Sequence, residues 1–200
     1  MKLYHALPSP FVRKVMVVLK LTGQEGEVEI LDGFGTPVAP NEGVCGANPI
    51  GKIPCLILED GTTLFDSRVV CRYLDKRADA GLYPTGDTEF SVLTTEALAD
   101  GMMDAAVLGV YEGRVRPPEL QYAPWVQSQL SKVHRALGDL EGRSASFGAE
   151  VEIGQIAVAC ALGYLDFRYP DLGWREGRPR LAEWFDGFSA RPEFAATAPD

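Results

Sequence analysis

The chain has 200 residues, of which 46% are hydrophobic and 24% charged, and this composition allows one large or two small globular domains. Its formal net charge of -9 excludes nucleic acid and an anionic membrane surface as partners, because both would repel it. The sequence has no apolar run of about 18 residues and no basic start followed by an apolar stretch, so we expect a cytoplasmic protein.

Cysteine and histidine are sparse. The four cysteines share no C-x-x-C spacing, which favours free thiols in a reducing compartment. They are Cys45, Cys55, Cys71 and Cys160. Neither histidine lies near a cysteine pair or a carboxylate pair, so we expect no metal site.

The first part of the chain alternates between short apolar runs and helical spacing, which is typical of an α/β unit. A strand is predicted at Lys2–His5, and a helix follows Ser9-Pro10 and continues to about Gly23. Further strands are predicted at 27–31, 55–58 and 63–65, and a helix at 67–76. Segment 32–47 carries four glycines and two prolines, too many for a regular helix, so we expect a long loop there.

The second part of the chain has helical periodicity only. After a glycine- and proline-containing linker at 80–87, helices are predicted at 88–115 and 124–140, from Ile153 onward, and at 178–189. The predicted organisation is an α/β domain at 1–79, the linker at 80–87, and an all-helical domain at 88–200.

Segment 48–54, Asn-Pro-Ile-Gly-Lys-Ile-Pro, is the most informative motif, together with Asp66-Ser67. We expect a cis Ile53–Pro54 bond, which would leave the backbone groups of Ile53 unpaired and facing outward. Asp66-Ser67 supplies a carboxylate and a hydroxyl where a helix presents free N–H groups. The motif therefore predicts a site for a small peptide that has both a carboxylate and an ammonium group.

These motifs, with Ser-Pro-Phe-Val-Arg-Lys at 9–14 and the helical second half, strongly resemble a bacterial cytosolic glutathione transferase. The resemblance implies an α/β N-terminal thioredoxin-like domain plus an all-α C-terminal domain, in a homodimer that uses glutathione as co-substrate in detoxification. The position of the redox C-x-x-C motif reads Ser9-Pro10-Phe11-Val12, which excludes disulfide exchange.

The resemblance also implies roles for individual residues. The backbone of Ile53, before Pro54, would pair with the cysteinyl part of glutathione. Asp66 and Ser67 would bind its γ-glutamyl end. Lys52 would meet the glycyl carboxylate. Asp100 would reach the ammonium of glutathione in the other subunit, with a solvated face or an arginine partner as the alternative.

Catalysis requires a thiolate, so the thiol pKa must fall about two units from about 8.5, which corresponds to roughly 2.7 kcal/mol. A helix N-terminus supplies only about 0.3–1 kcal/mol, whereas a hydroxyl that donates to the sulfur adds roughly 1.5–3 kcal/mol. Ser9 is therefore the candidate donor. The alternative is that Ser9 is only an N-cap, and we expect the rival Tyr4 to pack instead.

The predicted reaction is conjugation of the glutathione thiolate to a small, apolar electrophile. Met103, Val107 and Tyr111 are predicted to line the substrate pocket. The same thiolate could instead serve a peroxidase, a dehalogenase or an isomerase, and a non-catalytic member that binds a partner protein is a further alternative.

Overall fold

The computed structural model describes residues 1–199, which form two compact units. The first contains Met1–Tyr83 together with residues 196–199, and the second contains Pro84–Ala195. None of the helices in the described residues is long and apolar enough to cross a membrane.

A four-stranded mixed sheet forms the centre of the first unit, in the order β2-β1-β3-β4. The strands are β1 (Lys2–His5), β2 (Glu29–Asp32), β3 (Cys55–Ile57) and β4 (Thr63–Leu64). Strand β1 pairs parallel with β2 and antiparallel with β3, and β3 pairs antiparallel with β4. As a result β1, β2 and β4 all end where β3 begins. We call this end of the sheet, which is formed by strand ends and not by an outer strand, the upper edge.

Helices α1 (Pro10–Leu21) and α3 (Ser67–Ala78) pack against each other in this unit. Most of their apolar side chains are buried, and Val15 and Leu19 of α1 and Leu74 of α3 have no exposed surface. The predicted strand β1 matches the structure, and the other predicted strands and helices of this unit differ from it by only a few residues at their ends.

The expectation of a long loop at 32–47 was wrong in part, because α2 occupies Glu42–Ala47. The side chain of Asn41 caps this helix by accepting a hydrogen bond from the Val44 N–H at 3.0 Å. The glycines in α2 do not all act as helix breakers. A Cβ atom on Gly43 would lie 2.9 Å from the Tyr4 hydroxyl, so the absence of a side chain there allows close packing on β1.

The second unit is helical throughout its described residues. Its helices are α4 (Glu89–Val115), α5 (Ala123–Arg143), α6 (Ile153–Arg168), α7 (Pro179–Ser189) and α8 (Pro192–Ala195). Helix α6 is buried along most of its length and packs mainly on α4, which also contacts α5. Four of the helices were predicted, whereas the short α8 was not. The predicted fold class, an α/β unit followed by a helical unit, is confirmed.

Candidate functional site

Ile53 lies at the upper edge of the sheet, immediately before β3. The Ile53–Pro54 peptide bond is cis, as the sequence predicted. Within residues 1–199, neither the N–H nor the C=O of Ile53 has a hydrogen-bond partner, while Pro54 is buried behind it. This pair of open backbone groups can bind a short extended peptide in the manner of an added strand.

The buried side chain of Asn48 shapes the loop that leads to Ile53. Its Nδ2 donates to the carbonyl of Lys52 at 2.7 Å, and its Oδ1 accepts from the N–H of Ile50 at 3.0 Å. Gly51 has a φ of 67°, a conformation that favours glycine. Sequence reasoning did not assign a role to Asn48, although a polar residue at the start of a proline-rich motif is a signal for such a loop-holding role.

Lys52 is exposed, and no ion pair to its ammonium group occurs in the described part of the chain. Its carbonyl is held by Asn48, so the backbone of this residue is fixed while the charged end stays in solvent. A cation placed one residue before Ile53 can meet a carboxylate at the end of a bound peptide.

Helix α3 begins at the upper edge with Asp66 as its N-cap. The Asp66 carboxylate accepts a hydrogen bond from the Arg68 N–H at 3.0 Å and forms an ion pair with the Arg68 guanidinium at 3.2 Å. Ser67 is buried, and its hydroxyl has no hydrogen-bond partner among residues 1–199. The Phe65–Asp66 bond is also cis. Two polar side chains and free backbone N–H groups thus lie together at the N-terminus of α3.

Ser9 lies at the start of α1, at the same edge. Its Oγ accepts a hydrogen bond from the Val12 N–H at 3.3 Å, which confirms that Ser9 is an N-cap. The Ser9 hydroxyl donates no hydrogen bond within the described residues. A hydroxyl can accept and donate at once, so the capping bond leaves its proton free for an anion at the helix start.

Gly33 directly follows β2 and packs closely against both the end of β1 and Ile53. Its N–H donates to the carbonyl of His5 at 2.8 Å. A Cβ atom on Gly33 would lie 2.9 Å from Cγ2 of Ile53 and 3.0 Å from the backbone nitrogen of His5. Glycine at this position therefore allows Ile53 and His5 to lie close to the end of β2, a requirement that the sequence alone did not reveal.

The structure brings Ser9, Lys52, Ile53, Pro54 and the Asp66-Ser67 pair to the upper edge of one sheet. This grouping follows from the topology, because β1, β3 and β4 end or begin there. Tyr4, the rival of Ser9 as the candidate donor, packs against α2, as the close approach of its hydroxyl to Gly43 shows.

The other predicted site residues lie on α4 of the second unit. Asp100 and Met103 are buried, with 3% and 1% of their surface exposed, and Asp100 makes interactions within the chain. Val107 and Tyr111 are half-buried. This burial does not favour direct ligand contact by Asp100 or Met103, and their roles stay predictions.

The cysteines are all free thiols, and only Cys45 is exposed. Cys45 lies on α2 rather than in the expected loop, with its Sγ 3.1 Å from the position of a Cβ atom on Gly51. Within the described residues, no three side chains of His, Cys, Asp or Glu converge in a way that could hold a metal ion.

A thioredoxin-like unit with an open backbone pair beside a cis proline, followed by a helical unit, defines the glutathione transferase class of protein. Residues 8–77 match the glutathione S-transferase N-terminal domain, and residues 123–187 match the C-terminal domain of the same family. The chain therefore belongs to the glutathione S-transferase family.

Similar proteins support this assignment over the full length of the chain. An uncharacterized GST-like protein from Escherichia coli K12, YibF, is 36% identical, and the match covers 100% of this chain and 98% of that protein. A glutathione transferase family member from Pseudomonas fluorescens Pf-5, crystallised with glutathione, is 46% identical. It superposes with a TM-score of 0.97 over 100% of this chain and 98% of that one. A Methylobacillus flagellatus glutathione S-transferase with bound glutathione is 39% identical, with a TM-score of 0.89 over 100% of this chain and 99% of that one.

Proposed function

We propose that this protein is a glutathione transferase that binds glutathione at the upper edge of the first unit, ionises its thiol with help from Ser9, and adds the sulfur to a small electrophile. The observation that carries the proposal is the open N–H and C=O pair of Ile53 beside the cis proline. Crystal structures of two relatives, at 46% and 39% identity to this chain, contain bound glutathione, which supports the same ligand here.

Each end of glutathione has a matching group at this edge. The cysteinyl backbone pairs with Ile53, like an added strand. The γ-glutamyl carboxylate meets the Ser67 hydroxyl and the free N–H groups of α3, while the ammonium approaches Asp66. Asp66 already has Arg68 as an ion-pair partner, so the ammonium would share that carboxylate. Lys52 meets the glycyl carboxylate.

Ser9 lowers the pKa of the bound thiol by donating its hydroxyl proton to the sulfur. The capping bond from Val12 holds the Ser9 oxygen at the helix start, where the α1 dipole also favours an anion. Together the two effects are worth roughly 1.8–4 kcal/mol, enough for the shift of about two pKa units that a mostly ionised thiol at neutral pH needs.

The second substrate is a small electrophile with apolar surface. The Pseudomonas fluorescens relative has also been crystallised with S-(propanoic acid)-glutathione, a thioether of the kind that conjugation produces. Such a complex supports room for an S-substituent beside the sulfur in this chain as well. Val107 and Tyr111 stay predictions for the substrate pocket.

We also propose that the chain forms a homodimer in the cytoplasm. Large apolar side chains stand exposed in each unit, with Val69 on α3 at 47% and Phe90 on α4 at 76% exposure. A second copy that covers them would remove this apolar surface from water. Sedimentation equilibrium tests the dimer: a dimeric wild type and a more dissociated Phe90→Ser variant are expected, and a monomer at micromolar concentration would contradict it.

Calorimetric titration with glutathione is the first test of the function. We expect binding, followed by turnover of at least one member of a panel of aryl halides, benzyl halides, enones and organic peroxides. Turnover of peroxides alone would replace conjugation with peroxide reduction. Absence of glutathione binding would contradict the whole proposal and favour a non-catalytic member of the family.

A further inference from the structure

A second feature of the upper edge is a shallow, solvent-open cavity of about 360 Å³ between the β1–α1 turn and the edge strand β2. All of its lining residues belong to the first unit. The turn supplies Leu7 and Pro8, and Pro8 directly precedes Ser9. The Ser9 N–H donates to the carbonyl of Ala6 at 3.0 Å, so a hydrogen-bonded turn joins the cavity-lining segment 6–8 to Ser9, the proposed donor to the sulfur. Its volume is within the range of small-molecule sites, about 300–1,000 Å³.

Most of the side-chain surface in this cavity is apolar. Leu7, Ile30 and Phe34 line it and are 42%, 48% and 65% exposed. Three large apolar side chains left in contact with water around one concave surface favour an apolar ligand over a charged one. One face of a flat ring such as a phenyl group can lie on this open apolar surface.

His5 is a polar group in this apolar wall. Its side chain is half-buried and has no hydrogen-bond partner among residues 1–199. Burial lowers the pKa of His5, so the imidazole is neutral at neutral pH and carries one N–H donor. The other polar residue of the wall, Asp32, already accepts a hydrogen bond from the Phe34 N–H at 3.0 Å and is an acceptor only.

We infer that this cavity holds the ring of the electrophile and that His5 is a specificity-determining residue for aromatic enones, in which a carbonyl is conjugated to the reacting carbon–carbon double bond. The inference rests on the proposed glutathione transferase function. A neutral N–H donor in an apolar wall fits a neutral carbonyl oxygen, whereas an electrophile without such an oxygen gains nothing from it.

The reaction step balances without any further reactant. The glutathione sulfur forms a bond to the carbon of the double bond that is remote from the carbonyl. The π electron pair of the double bond forms a new double bond to the carbonyl carbon, and the π pair of the carbonyl bond moves onto the oxygen to give an enolate. The His5 N–H donates a hydrogen bond to that oxygen. The carbon next to the carbonyl then takes a proton from water, which replaces the proton lost when the thiol ionised. The product is a thioether, and nothing is oxidised or reduced.

The test compares two electrophiles that share a phenyl ring, 4-phenyl-3-buten-2-one and benzyl bromide, with glutathione as the common substrate. His5→Leu is expected to lower kcat/KM for the enone by about tenfold or more, because a donor to a developing oxyanion is lost. Its kcat/KM for benzyl bromide should change much less, so the ratio of the two kcat/KM values is expected to shift by about tenfold. His5→Gln, which keeps an N–H donor, should recover part of the enone activity and guards against a folding defect in the leucine variant.

Phe34→Ala tests the ring site, with Val38→Ala as its matched control. Val38 is an exposed apolar residue of the same β2–α2 segment that does not line the cavity. We expect Phe34→Ala to raise KM for both electrophiles several-fold and Val38→Ala to change neither, while the Kd of glutathione stays constant in all variants.

Two sets of results separate this inference from the proposed function. If the wild type does not bind glutathione by calorimetry, the proposed function fails and the inference fails with it. If the wild type binds glutathione and turns over benzyl bromide, but His5→Leu leaves the ratio of the two kcat/KM values unchanged, only the inference is overturned. A wild type that binds glutathione but never reacts with the enone would overturn it as well.

Discussion

The starts of α1 and α3 offer a comparison within one sheet edge, since both helices have 12 residues and begin with a capping side chain. At α1 the cap is Ser9, which accepts the Val12 N–H and keeps its own proton free. At α3 the cap is Asp66, which accepts the Arg68 N–H and is also paired with the Arg68 guanidinium. Similar backbone geometry thus presents a hydrogen-bond donor at one helix and a negative charge at the other. In the proposed function, the cap residue rather than the helix start would decide that α1 stabilises a thiolate and α3 binds an ammonium.

Replacing the cap of α1 should have the largest effect on catalysis. Ser9→Ala removes the donor to the sulfur and is expected to lower kcat at neutral pH about ten- to hundredfold, with little change in the Kd of glutathione. Steady-state kinetics and calorimetry measure the two quantities separately.

Ser9→Asp and Ser9→Thr are the matched controls for this change. Aspartate caps a helix as well as serine but has no proton to donate when ionised, so it should be at least as inactive as alanine. Threonine keeps both functions and should retain most of the activity. An active Ser9→Asp variant would mean that capping alone explains the role of Ser9.

Replacing the cap of α3 should affect binding rather than chemistry. Asp66→Asn keeps a good N-cap but removes the charge that attracts the ammonium, so the Kd of glutathione should rise about tenfold while kcat changes little. Asp60→Asn is the control, because Asp60 is another exposed carboxylate that accepts a backbone bond, from Thr62 at 2.9 Å. Equal Kd values for the two variants would rule out the proposed role of Asp66.

A substitution at Gly33 tests the open backbone N–H and C=O groups of Ile53. In Gly33→Ala the new Cβ would lie 2.9 Å from Ile53 Cγ2 and 3.0 Å from the His5 nitrogen, so the end of β2 or Ile53 must shift. The Kd of glutathione should rise about fivefold, which corresponds to about 1 kcal/mol. Gly26→Ala, where a Cβ meets nothing within 4 Å, should bind glutathione as the wild type does. If the two alanine variants bind equally well, Ile53 does not depend on Gly33.

A smaller effect is expected from the contact that anchors α1 to the end of the described chain. Arg13 Nε donates to Thr197 Oγ1 at 3.2 Å, and both residues are buried. Thr197→Val should lower the free energy of unfolding by about 1 kcal/mol and the Tm by about 2–4 °C. Thr197→Ser keeps the hydroxyl and should lose less. Equal Tm values for the valine variant and the wild type would mean that this hydrogen bond contributes nothing net.

Much of the fold could be predicted from local sequence patterns. Strand β1 and helices α1, α3 and α6 have clear periodicity and, for α1, a recognisable cap, so their positions follow from short-range rules. Helix α2 could not be predicted, because its glycines serve packing on Tyr4 and its cap Asn41 lies among residues that are typical of loops.

The candidate site divides in the same way. Ile53 and Ser9 could be selected from short motifs, since a cis proline and a helix N-cap are local features. The roles of Gly33 and His5 depend on which strands are neighbours in the sheet, and no local pattern carries that information. The burial of Asp100 and Met103 likewise depends on tertiary packing of α4.

The most direct test of the account is an ultraviolet titration of the thiolate of bound glutathione in the wild type and in Ser9→Ala. We expect the wild-type complex to form thiolate with an apparent pKa about two units below the ordinary thiol value of about 8.5, and the Ser9→Ala complex to return most of the way to that value. Identical titrations of the two complexes would contradict the claim that the free proton of Ser9 activates the thiol.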